Sequence, residues 1–116
     1  MTRHEKNPIV RQEREVTESP AGIFRTVMAF NDELMLCHFA MKEGARIPLH
    51  SHPPAQNGYV VKGRIRFFTE DASFIAEEGC GYVFDPDEKH GAEVLSDSEV
   101  VECFSPKRPE YEPSHK

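Results

Sequence analysis

Two histidines separated by a single residue, His50 and His52, carry the clearest chemical signal in this chain. Alternate side chains of an extended segment share a face, so these imidazoles would lie about 7 Å apart along a strand and could bind one ion. Gln56 returns to that face by the same alternation, whereas Asn57 points away if the segment stays extended. His90 follows a short polar connection and is the natural candidate for a ligand from another strand. The pattern predicts a metal site whose ligands are His50, His52, Gln56 and His90.

The glutamine makes this predicted ligand set electrically neutral. A divalent ion held by imidazole and amide groups keeps its full positive charge, so it would attract a carboxylated small molecule. The same neutrality disfavours a ferric state, and the two-histidine, one-carboxylate pattern of iron oxygenases is absent from the motif. We therefore expect Lewis-acid rather than redox chemistry. The ion itself stays open, since these ligands suit Zn, Ni, Mn, Fe and Co to overlapping degrees.

The remaining histidines are interpreted as structural. His38 lies in the apolar run 34–41 and by alternation faces away from its apolar neighbours, on the outer surface or at a dimer interface. His4 and His115 lie in the polar ends of the chain.

Short apolar runs, broken by turn residues, fill the centre of the chain; GYVVKG and RIRFFTE at 58–70 are two of them. Aromatic and β-branched residues dominate these runs, and no ten-residue window keeps a helical apolar stripe, so the sequence predicts an all-β sandwich or small barrel. With 116 residues and 38% hydrophobic content, the chain supports one core. We expect an N-terminal arm over 1–21, a barrel domain over 22–104 and a C-terminal tail over 105–116.

Composition argues against several classes of partner. A net charge of −6, with only 14 lysines and arginines, disfavours nucleic acid. No apolar run of signal-peptide or membrane-helix length occurs, so we expect a cytoplasmic protein without a membrane partner. The three cysteines are odd in number and widely spaced, which predicts reduced thiols.

The segment SEVVECFSPKRPEY offers a further pair of candidate site residues. In a strand, Glu102 and Phe104 share one face while Val101 and Cys103 share the other. If the first pair faces inward, Glu102 is an acid near the cation and Phe104 can pack against a sugar ring. If the second pair forms the core, Glu102 is solvated.

Two segments resemble the motifs of the cupin superfamily. The segment 44–63, GARIPLHSHPPAQNGYVVKG, is similar to the first motif, G-x5-H-x-H-x3-E-x6-G, with Gln56 at the position of the glutamate. The segment 79–91, GCGYVFDPDEKHG, is similar to the second motif and contains His90, although Cys80 stands where an aspartate often follows the glycine.

Within that superfamily the chain resembles the small KdgF-type cupins of pectin and alginate breakdown, from about residue 22 to residue 111. The resemblance lies in NDELML, PLHSHPPAQ, YVVKG and the ending CFSPKRPEY; Gln56 is typical of these proteins, whereas Glu102 stands where they have an aspartate. It implies a jelly roll (double-stranded β-helix), a homodimer, and a divalent metal held by three histidines and one glutamine. It also implies an inward-facing Glu102 and Phe104, and an Arg108 that binds the substrate carboxylate; an exposed tail arginine is the alternative.

The function implied by this resemblance is ring opening and ketonisation of 4,5-unsaturated monouronates, which are small anionic sugars, by a metal-dependent isomerase or lyase. Glu102 would move the proton. Two other functions stay open. A metal-dependent dioxygenase of a small molecule would use the same barrel and consume oxygen, and a non-catalytic cupin would bind its ligand without turnover.

Overall fold

The computed structural model describes residues 7–113, so His4 and His115 lie outside the described residues. These residues form eight strands: β1 (Val16–Glu18), β2 (Ile23–Phe30), β3 (Met35–Met41), β4 (Arg46–His50), β5 (Ala55–Phe68), β6 (Ser73–Glu77), β7 (Gly81–Phe84) and β8 (His90–Ser105). Two 3-10 helices of three residues each are added at Arg11–Glu13 and Pro109–Tyr111. None of the helices in this part of the chain is long and apolar enough to cross a membrane. The all-β prediction is confirmed.

Strands β5 and β8 form the centre of the fold because they pair with each other along almost their whole length. Their antiparallel register runs from Ala55 opposite Ser105 to Phe68 opposite Gly91. The start of β8 also pairs with β4 and its second half with β3, while β5 pairs with β7 near its start and with β6 at its end. Strands β2 and β1 extend the sheet beyond β3. The two long strands thus link two halves of a folded antiparallel sheet, as expected for a jelly roll.

Gly63 allows β5 to continue through a bend. The sequence pattern predicted two separate runs on either side of this glycine, but the structure has one strand whose register against β8 shifts between Val60 and Ile65. Gly63 has φ of 99°, and a Cβ atom there would lie 2.1 Å from the hydroxyl oxygen of Ser98. A glycine therefore forms a bulge within the strand, not a turn between two strands.

The core consists of the inward side chains of the two halves of the sheet. Met35 and Cys37 on β3, Val60 and Ile65 on β5, and Val100 on β8 are all fully buried. Burial in these surroundings raises the pKa of the Cys37 thiol to about 12, so this cysteine stays protonated.

Two strands, β1 and β4, have no counterpart among the predicted apolar runs. All three residues of β1 are exposed, and β4 contains Pro48, so neither has the composition of a buried strand. β1 lies within the predicted arm and pairs with β2, with Val16 opposite Thr26. The predicted domain boundaries near residues 21 and 104 stay predictions.

Candidate functional site

Three histidines meet at one end of the sheet. His50, the last residue of β4, lies directly opposite His90, the first residue of β8, and His52 follows in the next turn. One ring nitrogen from each lies within 4.8 Å of the others. The segment 50–56 does not stay extended, which was the condition for its predicted alternation: the strand ends at His50, and Pro53 and Pro54, which lack an N–H group, occupy the turn before β5.

Backbone carbonyls orient all three imidazoles. Each ring donates its Nδ1–H to the carbonyl of a residue two positions away, at 2.9 Å for His50 and 2.8 Å for His52 and His90. The Nε2 lone pairs are therefore left for another partner, and Nε2 of His90 is buried without one. Burial lowers the pKa of His52 and lowers that of His90 to about 4, so both are neutral, as metal ligands must be.

Gln56 completes the cluster from the start of β5. Its side-chain Nε2 donates to a carboxylate oxygen of Glu102 at 2.8 Å, which fixes the amide so that Oε1 faces Nε2 of His52 at 3.0 Å. When His52 is neutral, its Nδ1–H bond leaves Nε2 as an acceptor, so this contact brings two acceptors together, and a cation between them would make it favourable. The residues present therefore fit a divalent ion. Asn57, on the opposite face, is exposed as predicted.

The inward orientation of Glu102 and Phe104 is confirmed. Glu102 is 6% exposed and Phe104 is 1% exposed, whereas Cys103 is exposed. The alternative, in which Val101 and Cys103 form the core and Glu102 is solvated, is wrong because strand alternation places Glu102 on the side of β8 that the β-barrel encloses.

One oxygen of the Glu102 carboxylate receives two hydrogen bonds. The amide of Gln56 and the hydroxyl of Tyr82 both donate to Oε2, the hydroxyl at 2.5 Å. Within residues 7–113, no donor bonds to the other oxygen, Oε1. Burial raises the pKa of Glu102 to about 7, although the two hydrogen bonds and the positive charge of Arg108 act in the opposite direction.

Sequence reasoning missed Tyr82. It lies on β7, where alternation places Tyr82 and Phe84 inside and Val83 outside. That alternation was the available signal, but only the fold shows that the hydroxyl reaches Glu102. The ring lies against Gly58 on the neighbouring strand, where a Cβ atom would be 2.0 Å from the ring carbon Cζ.

Arg108 is buried in spite of its place in the proline-rich tail, so the exposed alternative is wrong. The residue is 9% exposed, with the guanidinium carbon 5.0 Å from the ring centroid of Phe104 and 4.0 Å from that of Tyr111. Its Nε donates to Glu110 at 3.0 Å. Phe104 packs edge-on against the ring of His52, so the structure places it behind the site, and its predicted contact with a sugar ring stays a prediction.

A cavity of about 70 Å³ connects these groups. Its polar lining consists of Ser19, His50, Gln56, His90, Glu102 and Arg108, with Tyr111 beside them. It is much smaller than the roughly 300 Å³ of a typical ligand pocket.

The other candidate residues lie elsewhere. His38 is on the opposite face of β3 from Cys37, where its Nε2–H donates to a carboxylate oxygen of Glu99 at 2.9 Å, but it is only 7% exposed, so the predicted exposed outer position is wrong. Its place at a dimer interface stays a prediction. Cys37, Cys80 and Cys103 are free thiols, as predicted.

Comparison with known proteins places these features in context. Residues 37–105 match the family model described as the cupin domain. An RmlC-like cupin from Shewanella frigidimarina NCIMB 400 is similar with a TM-score of 0.84 and 25% identity, over 89% of this chain and 93% of that one. KdgF from Halomonas sp. is similar with a TM-score of 0.82 and 30% identity, over 88% of this chain and 96% of that one.

More distant likenesses concern the fold alone. The polyketide cyclase RemF from Streptomyces resistomycificus has a TM-score of 0.77 at 16% identity, over 89% of this chain and 81% of that one. Among curated proteins, no significant match to the sequence was found.

Proposed function

The chain belongs to the cupin family, and we propose that it is a metal-dependent enzyme. Its three-histidine site would catalyse ring opening and ketonisation of 4,5-unsaturated monouronates. The observation that carries the proposal is the buried carboxylate of Glu102, which lines the same small cavity as His50, His90 and Arg108. The similarity to KdgF from Halomonas sp., at 30% identity over nearly the whole of both chains, supports the substrate class.

The proposed reaction is an isomerisation. The bond between C1 and the ring oxygen breaks as the C1 hydroxyl becomes an aldehyde, which leaves the former ring oxygen as an enol hydroxyl on C5. A proton then adds at C4 while the enol O–H proton leaves and the C5 carbonyl forms. Protons and electrons balance without an oxidant or another co-reactant.

The residues of the cavity divide into three roles in this proposal. His50, His52, His90 and Gln56 would hold the ion, which when bound supplies a positive charge that stabilises negative charge developing on a substrate oxygen. The Arg108 guanidinium binds the uronate carboxylate, since a planar donor group matches a planar carboxylate. Glu102 moves the proton through Oε1, because Oε2 is already engaged by two donors.

The proposed reaction itself limits the substrate to monouronates. Ring opening needs a free hydroxyl at C1, which a sugar bonded through C1 to another sugar lacks. The buried Glu102 and Arg108 act where less water screens their charges than at the surface. We therefore propose monouronates, not oligomers, as substrates.

The experiment follows the loss of ultraviolet absorbance of a 4,5-unsaturated monouronate, with and without chelator. Glu102→Gln tests the proton carrier. Glu99→Gln is the matched control, because Glu99 lies on the same strand but pairs with His38 on its outer face. We expect acceleration by the metal-loaded protein, its loss with chelator or Glu102→Gln, and its retention in Glu99→Gln. No acceleration by the metal-loaded protein would refute the proposal; oxygen uptake or tight binding without product would instead indicate a dioxygenase or a binding protein.

We also propose that the protein acts as a cytoplasmic homodimer. Tyr59 and Val61 on β5 and Val83 on β7 are exposed apolar residues that a second copy could cover. Light scattering during size-exclusion chromatography measures the mass directly, and a mass of one chain at micromolar concentration would contradict the dimer.

A further inference from the structure

The ring of Tyr111 contacts two guanidinium groups. The guanidinium carbon of Arg108 lies 4.0 Å from the ring centroid, and that of Arg25, on β2, lies 3.8 Å from it. Both distances are within the range of strong cation–π interactions, and the edge of the ring also packs against Phe104. A single aromatic side chain near the C-terminus therefore connects an arginine of the candidate site to an arginine of the sheet.

The two arginines belong to two different spaces. Arg108 lines the small cavity beside the histidines, whereas Arg25 lines an outer cleft of about 320 Å³ between the N-terminal arm and the C-terminal 3-10 helix. Tyr111 lines both. Because Arg25 projects from a paired strand, it ties the tail segment that carries Tyr111 to the rigid part of the fold.

We propose that Tyr111 and Arg25 are positioning residues that hold the Arg108 guanidinium ready for a carboxylate. The inference rests on the proposed function, since it assigns the substrate carboxylate to Arg108. Nε of Arg108 is already bonded to Glu110, which leaves its terminal nitrogens for the ligand. An arginine that is already stacked and bonded loses less rotational freedom on binding than a free one. The turn is fixed further by the Tyr111 amide, which donates to the carbonyl of Arg108 at 2.9 Å.

The first test compares steady-state kinetics of Tyr111→Leu, Tyr111→Phe and Arg25→Gln on the 4,5-unsaturated monouronate. Loss of the ring in Tyr111→Leu is expected to raise KM by about tenfold with little change in kcat. Arg25→Gln is expected to raise KM by about threefold. Tyr111→Phe keeps the aromatic ring, so its KM is expected to equal that of the wild-type protein. Arg64→Gln is the matched control because Arg64 is half exposed and pairs with Glu77 away from the cavity.

The second test needs no substrate. Proton exchange at Nε–H of Arg108, assigned from the peak lost in Arg108→Lys, is measured by nitrogen-15 NMR in the whole protein. We expect exchange to accelerate several-fold in Tyr111→Leu and Arg25→Gln, but not in Tyr111→Phe or Arg64→Gln. Unchanged exchange in Tyr111→Leu would overturn the inference, as would an unchanged KM. If the wild-type protein converts no uronate, the proposed function fails, and the exchange rates still decide whether Tyr111 and Arg25 position Arg108.

Discussion

The contact between Gly58 and Tyr82 allows a sharp test of how the fold positions Glu102. A Cβ atom at Gly58 would lie 2.0 Å from Cζ, 2.3 Å from the hydroxyl oxygen and 2.4 Å from Cε2 of Tyr82. Since carbon atoms in contact are separated by about 3.5 Å or more, Gly58→Ala must displace the ring by about 1.5 Å. The hydroxyl would then leave Glu102, to which it now donates at 2.5 Å.

The expected cost is large for the addition of one methyl group. Loss of a hydrogen bond to a charged group costs about 1.5–3 kcal/mol. Overpacking of a core site costs about 1–3 kcal/mol more. We therefore expect Gly58→Ala to lower the free energy of unfolding by about 4 kcal/mol, measured by urea denaturation of metal-free protein and followed by circular dichroism.

Gly81→Ala is the matched control. Gly81 lies next to Tyr82 on β7, but a Cβ atom there meets only the carbonyl oxygen of Gly58, at an ordinary 3.6 Å. Its replacement is expected to change stability by less than about 1 kcal/mol. In a Tyr82→Leu background, which removes the colliding ring atoms, Gly58→Ala is also expected to cost less than about 1 kcal/mol. Equal costs for Gly58→Ala and Gly81→Ala, or the same cost of Gly58→Ala in both backgrounds, would refute the proposed collision.

Four further outcomes are expected. His52→Ala should lose metal and turnover together, whereas Glu102→Ala should lose turnover with its metal content, measured by atomic absorption, unchanged; equal loss of metal in both would contradict their separate roles. In metal-free protein, burial lowers the pKa of His90 from 6.5 to about 4, so the folded state favours the neutral ring. The stability that this contributes is full above pH 6.5 and is lost as the pH falls through 4. Burial raises the pKa of Glu102 from 4.5 to about 7, so the folded state favours the protonated carboxyl and the pH dependence has the opposite sign. The stability that this contributes is full below pH 4.5 and is lost as the pH rises through 7. The urea midpoint of Glu102→Gln should therefore rise between pH 4 and 6.5 more than that of the wild type, and a flat profile would count against the neutral buried His90. Phe104→Ala should lower the free energy of unfolding by about 4 kcal/mol, since this ring is 1% exposed, and a urea titration showing less than about 1 kcal/mol would contradict its tight packing. Gln56→Glu should retain metal but reduce turnover by about tenfold, because Glu102 loses its amide donor and gains a like charge; unchanged turnover would show that this hydrogen bond is dispensable.

The histidine cluster could be predicted from sequence because its residues are close along the chain or fall beside recognisable turns. The spacing of His50 and His52 indicates that both bind one ion. This holds whether the intervening backbone is extended or, as in the structure, leaves the strand at His50. Parity with the histidines predicted the orientation of Gln56, although the strand is interrupted between them and alternation within β5 is what places Gln56 inside. The rotation of its amide could not be predicted, since it depends on Glu102, 46 positions away.

The residues that surround the cluster could not be predicted, because long-range pairing places them. Tyr82 meets Glu102 only because β5 lies between β7 and β8. Arg108 looked like a tail residue, and its burial comes from stacking on Tyr111, which Arg25 contacts from β2. Local composition carries no information on such contacts, since they arise when distant strands pair.

Stereochemistry of proton addition tests the central claim most directly. The metal-loaded protein and the 4,5-unsaturated monouronate are mixed in D2O, and early product is examined by proton NMR against a sample with chelator. A carboxylate fixed on one wall of the cavity delivers its deuteron to one face of the enol, so we expect a single deuterium at C4 in one diastereomeric position. Equal labelling of both positions, or conversion no faster than with chelator, would contradict proton transfer by Glu102 in a metal-dependent site.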